Sequence, residues 1–153
     1  MTIDKLLRFW DKELHPPFWH RNSVEDEAGF IEVDTFHISG MPNQRLDIKP
    51  RLDNDQFYRL MLDAYKSYVQ QNTELTITPV NENMRQTMTW KSIYRIGNVV
   101  SFSWEVDTDK NYVEIKIYAH KGEPLQRKIT ELTKRFILEL NLRQESAPKK
   151  YGY

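Results

Sequence analysis

Between Met88 and Ala119, apolar residues take every second position in successive runs separated by turn residues. Val100, Phe102, Trp104 and Val106 alternate with Ser101, Ser103 and Glu105, and Val113, Ile115 and Ile117 alternate with Tyr112, Glu114, Lys116 and Tyr118. A period of two sends the two sets to opposite faces of a strand, which specifies a sheet packed on one side and wet on the other. Gly97-Asn98 joins a strand predicted over Thr87–Ile96 to one over Val99–Asp107 as a short hairpin. Directly after the third strand, Gly122-Glu123-Pro124 opens a helix predicted to run to Leu142, with Pro124 at its first position. Leu125, Ile129, Leu132, Phe136 and Leu140 make its apolar stripe. A one-faced sheet followed at once by a one-faced helix leaves few folds open.

The rest of the chain reads as support for that unit. Ile3, Leu6, Leu7, Trp10 and Leu14 predict an N-terminal helix with Thr2 as cap, stopped by Pro16-Pro17. Ser23–Gly29 reads as an acidic turn, and Phe30–Ser39 as a strand with a bulge at Asp34-Thr35 that turns both Ile31/Val33 and Phe36/Ile38 inward. Met41–Pro50 is a connector, Asn54–Gln71 a second helix, Glu74–Val80 a short strand and Asn81–Gln86 a polar loop. Pro79 marks that short strand as an edge or an end. The predicted order is α-β-α-β-β-β-β-α: an α+β fold with one curved antiparallel sheet and helices on one face. A single domain spans 1–145 and a flexible C-terminal tail 146–153. From its first strand onward this order resembles the helix-grip and TBP-like arrangement, which implies a bent sheet wrapped around the last helix. No site residue comes with that resemblance.

At 153 residues the chain can bury a full core without metals or disulfides. Its 22 basic and 22 acidic residues balance, which excludes attraction to nucleic acid or anionic lipid by net charge alone. Without cysteine there is neither a thiol nucleophile nor a disulfide framework, as suits the cytoplasm. The charged N-terminus lacks the apolar core of a signal peptide and no run matches a membrane span, so a soluble protein is expected.

Motifs for chemistry are fragmentary. His37-Ile38-Ser39 is similar to half of the paired His-x-Ser/Thr signature of two-histidine phosphoesterases, but the later His120 is followed by Lys121-Gly122 and lacks the hydroxyl. His15, His20, His37 and His120 are not at zinc-ligand spacing. Asp107-Thr108-Asp109-Lys110-Asn111 opens like a calcium loop, yet Tyr112 replaces the required glycine, so it reads as a turn. No metal or other cofactor is expected.

What remains is surfaces. In the second helix, Phe57, Leu60, Met61, Ala64 and Tyr68 form one stripe and Tyr58, Leu62, Tyr65 and Val69 another, more than one sheet contact requires. Together with Phe18, Trp19, Leu138 and Leu142, the second stripe is the expected interaction surface of a non-enzymatic protein-binding module that can self-associate as a homodimer. One alternative is an apolar ligand or catalytic pocket between sheet and C-terminal helix, lined by Trp90, Phe102, Trp104 and Phe136. The other is single-stranded nucleic acid held by Lys91, Arg95, Lys116, Tyr112 and Tyr118 on the open sheet face, where Glu105 and Glu114 dilute the field.

Overall fold

The computed structural model describes residues 19–27, 29–39, 53–110 and 112–146. The expected N-terminal helix, Phe18 and the Met41–Pro50 connector lie outside these residues, as does the tail from 147 onward. The elements are β1 (Trp19–Asp26), β2 (Gly29–Ser39), α1 (Asn54–Thr73), β3 (Ile77–Gln86), β4 (Thr89–Ile96), β5 (Val100–Asp107), β6 (Tyr112–His120) and α2 (Pro124–Ser146). All strands belong to one six-stranded sheet in the order β1-β2-β6-β5-β4-β3, with every neighbouring pair antiparallel.

Alternation dictates the packing. Phe102, Trp104, Val106, Val113, Ile115 and Ile117 are fully buried beneath the two helices, joined by Phe36 and Ile38 from β2. Tyr65 of α1 ties the layers together, its ring centroid 5.3 Å from Phe102, 5.6 Å from Trp104 and 5.5 Å from Phe136 of α2. This accounts for the double stripe of α1: the helix buries one side on the sheet and another on α2. The start of α1 is fixed by a capping box, in which Asp53 accepts from the Gln56 amide and the Gln56 side chain accepts from the Asp53 amide.

Three expectations are corrected. The stretch predicted as an acidic turn is instead the end of a full strand, Trp19–Asp26, paired with β2 from Trp19↔Phe36 to Asp26↔Gly29. The hairpin turns at Gly29, whose φ of 118° favours glycine. The described order is therefore β-β-α-β-β-β-β-α. No bulge interrupts β2: its register with β6 runs unbroken from Ile31↔His120 to Ser39↔Tyr112. Ile31 and Val33 stay on the uncovered face, and the carboxylate of Asp34 goes inward. That burial is tolerated because Arg21 donates to both Asp34 oxygens at 2.6 and 2.8 Å and the Thr130 hydroxyl donates at 2.6 Å. Finally, Asn81–Gln86 is the second half of edge strand β3, with register shifts between Pro79 and Asn81 and between Asn81 and Met84. Bulges and a proline blunt an edge against stray pairing.

Candidate functional site

Both helices cover the same face of the sheet, and among the described residues nothing covers the other. The register places its side chains in rows. Across β2, β6, β5 and β4 one row is His37, Glu114, Glu105 and Lys91. The next is Thr35, Lys116, Ser103 and Ile93, and the third is Val33, Tyr118, Ser101 and Arg95.

Glu114 is the electrostatic centre of this face. His37 Nε2 donates to its Oε2 at 2.7 Å, and Lys116 Nζ stands 3.4 Å from its Oε1. Tyr112 meets the imidazole edge-on, with ring centroids 5.9 Å apart. Partial burial pushes the Glu114 carboxyl up, but the His37 hydrogen bond and the Lys116 ammonium outweigh it and hold the group below its usual range. Glu105 lies directly opposite Glu114, a repulsive placement that Lys91, directly opposite Glu105, offsets from the far side. Tyr118 is half-buried, and burial raises its phenol while Arg95 pulls the other way. Thr35 and Ser103, on either side of Lys116, are overtopped by their neighbours and only 5% and 3% exposed.

A second feature lies on the helix side, between α1 and β3. There a cavity of about 490 Å³ is bordered by Asp63, Lys66 and Gln70 from the helix, by Pro79 and Glu82 from the strand, and by Tyr94 of β4. The Tyr94 hydroxyl donates to Glu82 Oε2 at 2.8 Å. Burial, foremost, and that hydrogen bond push the phenol up to about 12, against a smaller opposing effect of Ser92. The Asn83 amide donates to Ser92 Oγ at 3.0 Å, and Arg59 of α1 donates to the Asn83 side chain at 2.6 Å. These bonds pin the irregular stretch of β3 that carries Glu82.

The expected interaction surface is redistributed by the fold. Tyr58, Tyr65 and Val69 are fully buried and Leu62 is 5% exposed, so that stripe is core and not surface. The Tyr65 hydroxyl meets Thr133 Oγ1 at 2.7 Å inside it, and burial pushes the phenol up. Trp19 stacks on Phe36 at 5.9 Å, with Lys134 4.2 Å over its ring, and serves to seat β1 on α2. Leu138 is exposed at 47%, whereas Phe18 and the Leu142 side chain lie outside the described residues. The expected pocket is corrected as well. Phe102, Trp104 and Phe136 close around the Tyr65 ring, which occupies the space between them. Trp90 lies apart, fully buried beneath the Arg59 guanidinium, 4.6 Å from its ring centre.

Lys91, Arg95, Lys116, Tyr112 and Tyr118 do share the uncovered face, together with the acids expected to dilute them. His37 and His120 do not face each other. Their partners on the β2–β6 ladder, Glu114 and Ile31, place them six positions apart, about 20 Å at the usual strand rise. The Asp107 loop is a turn in which Asp107 Oδ1 accepts from the amides of Asp109 and Lys110, both at 3.0 Å. Among the described residues no three His, Asp or Glu side chains converge to hold a metal ion, and no helix is long and apolar enough to cross a membrane. The cleft with Tyr94 was missed because Glu82 fell in a segment read as loop, and only the Asp63/Lys66 spacing hinted at one wall.

No protein-family model, curated protein or solved structure matches the chain.

Proposed function

We propose that the protein is a non-enzymatic interaction module that recognises another protein with the uncovered face of its sheet. The observation that carries this reading is the make-up of that face. Lys91, Arg95 and Lys116 stand among Glu105, Asp107 and Glu114, with Tyr112, Tyr118, Ile93 and Val33 half-buried between them. A face of alternating sign has no field to hold a phosphate backbone, which needs several uncompensated cations. Mixed charges around partly exposed tyrosines suit a protein surface, where charge pattern sets register and aromatic rings supply contact area. His37 is an imidazole–carboxylate pair on an open face, its side chain 42% exposed, and does not sit in the water-excluding pocket that acid–base catalysis needs. A second copy of the chain belongs among the candidate partners, and residence in the cytoplasm is part of the same proposal.

Affinity capture after nuclease treatment tests it. The wild-type chain should retain a stoichiometric protein, or a second copy of itself. Lys116→Glu combined with Tyr118→Ser should release that protein while far-UV circular dichroism and a cooperative thermal transition are retained. An identical retained set for both chains, or retained material that disappears with nuclease, would overturn the proposal.

A further inference from the structure

The cavity between α1 and β3 is built around one aromatic ring with two differently used faces. One face of Tyr94 stacks on Phe102 in the core, with centroids 5.0 Å apart and planes at 23°. The other face looks into the cavity and carries the Lys66 ammonium 4.7 Å from its centre. Asp63 Oδ1 lies 3.9 Å from that ammonium, and Glu82 accepts the Tyr94 hydroxyl proton at the ring's edge. A ring face between two carboxylates is the arrangement by which proteins recognise cations. Here the chain's own lysine occupies the position a cation would take. With Lys66 counted, one carboxylate remains in excess of the cations that border the cavity. At about 490 Å³ the cavity has room for a small molecule beside it.

The geometry points to a binding site for a small aliphatic amine, whose ammonium replaces that of Lys66 over Tyr94 and between Asp63 and Glu82. Its carbon chain would lie along Ile77 and Pro79. Lys66 sits on a four-carbon stem with its side chain 27% exposed, so it can swing outward when the amine enters. The lysine is thus an internal competitor. A site of this kind binds weakly in the intact chain and more tightly once the competitor is shortened. The inference is independent of the uncovered sheet face.

Isothermal titration with 1,4-diaminobutane at low salt, alongside backbone amide NMR, tests this. The intact chain should bind in the millimolar range with shifts confined to α1 around Asp63–Gln70, to β3 and to β4 around Tyr94. Lys66→Ala should tighten binding about tenfold, the equivalent of roughly 1.4 kcal/mol. Glu82→Gln in that background should reverse the gain, and both variants leave the Tyr94–Phe102 stack in place to hold the fold. Acetate, the control anion, should not bind. Lack of any gain with Lys66→Ala, shifts outside the cavity, or indifference to Glu82→Gln would overturn the assignment.

Discussion

Arg21 grips Asp34 with two parallel hydrogen bonds, Nε to Oδ1 at 2.6 Å and Nη2 to Oδ2 at 2.8 Å, and so fastens the edge strand β1 to β2. Asp34 is fully buried, while Arg21 keeps part of its side chain in water and also reaches Glu32 at 3.2 Å. Hydrogen bonding to Asp34, foremost, raises the Arg21 guanidinium further. Arg21→Met should leave the carboxylate buried with only Thr130 as partner. The expected loss is about 2–4 kcal/mol by urea denaturation, less than for a pair sealed on both sides. A change under 0.5 kcal/mol would show that β1 contributes little to the fold.

Tyr65 provides the sharpest test of the core. Tyr65→Phe keeps the ring among Phe102, Trp104 and Phe136 and loses only the bond to Thr133, whose hydroxyl still donates to the Ile129 carbonyl at 2.8 Å. The cost should be about 0.5–1.5 kcal/mol. Tyr65→Ser removes the ring as well and should cost about 3–5 kcal/mol, close to the whole stability of a small domain. Equilibrium denaturation of the pair separates ring from hydroxyl.

These two sites also show how far the sequence reached. The period of two in β5 and β6 and the stripe of α2 were legible because burial on one face alone dictates them. The width of the apolar face on α1 was legible too, but its second neighbour was not. Nothing local to Tyr65 or Tyr68 says that α2 lies beside them. β1 was hidden because Trp19–Asp26 is polar and charged, and its strand conformation comes from pairing with β2. Ile31 and Val33 misled the reading of β2: two apolar residues out of phase with Phe36 and Ile38 argue for a bulge until Asp34 is seen inward with Arg21 and Thr130 beside it.

On the uncovered face, His37 should govern the titration of Glu114. The depressed carboxyl contributes stability above the ordinary glutamate range, and that contribution is lost as pH falls through the lower folded value. His37→Ala should move the Glu114 midpoint upward, read by carboxyl carbon-13 NMR, and flatten the acid limb of Tm against pH. An unmoved midpoint would assign the depression to Lys116.

At the other end of the scale, Tyr94 ionises near 12, above its usual value. The neutral phenol therefore favours the fold fully below about pH 10, the usual tyrosine value, and that share fades as pH climbs toward 12. Phenolate absorbance should show this tyrosine titrating late, and Glu82→Gln should bring its midpoint down. A wild-type chain with all phenols titrating at their usual value would contradict the closed Tyr94–Glu82 geometry.

Site-specific photo-crosslinking tests the central claim most directly. A benzophenone amino acid at Tyr118 reports from the uncovered sheet face, and one at Leu138 reports from exposed α2. The account predicts a discrete protein adduct, or a dimer of the chain, from position 118 and none from position 138. Adducts from 138 alone, or nucleic acid attached at 118, would contradict it.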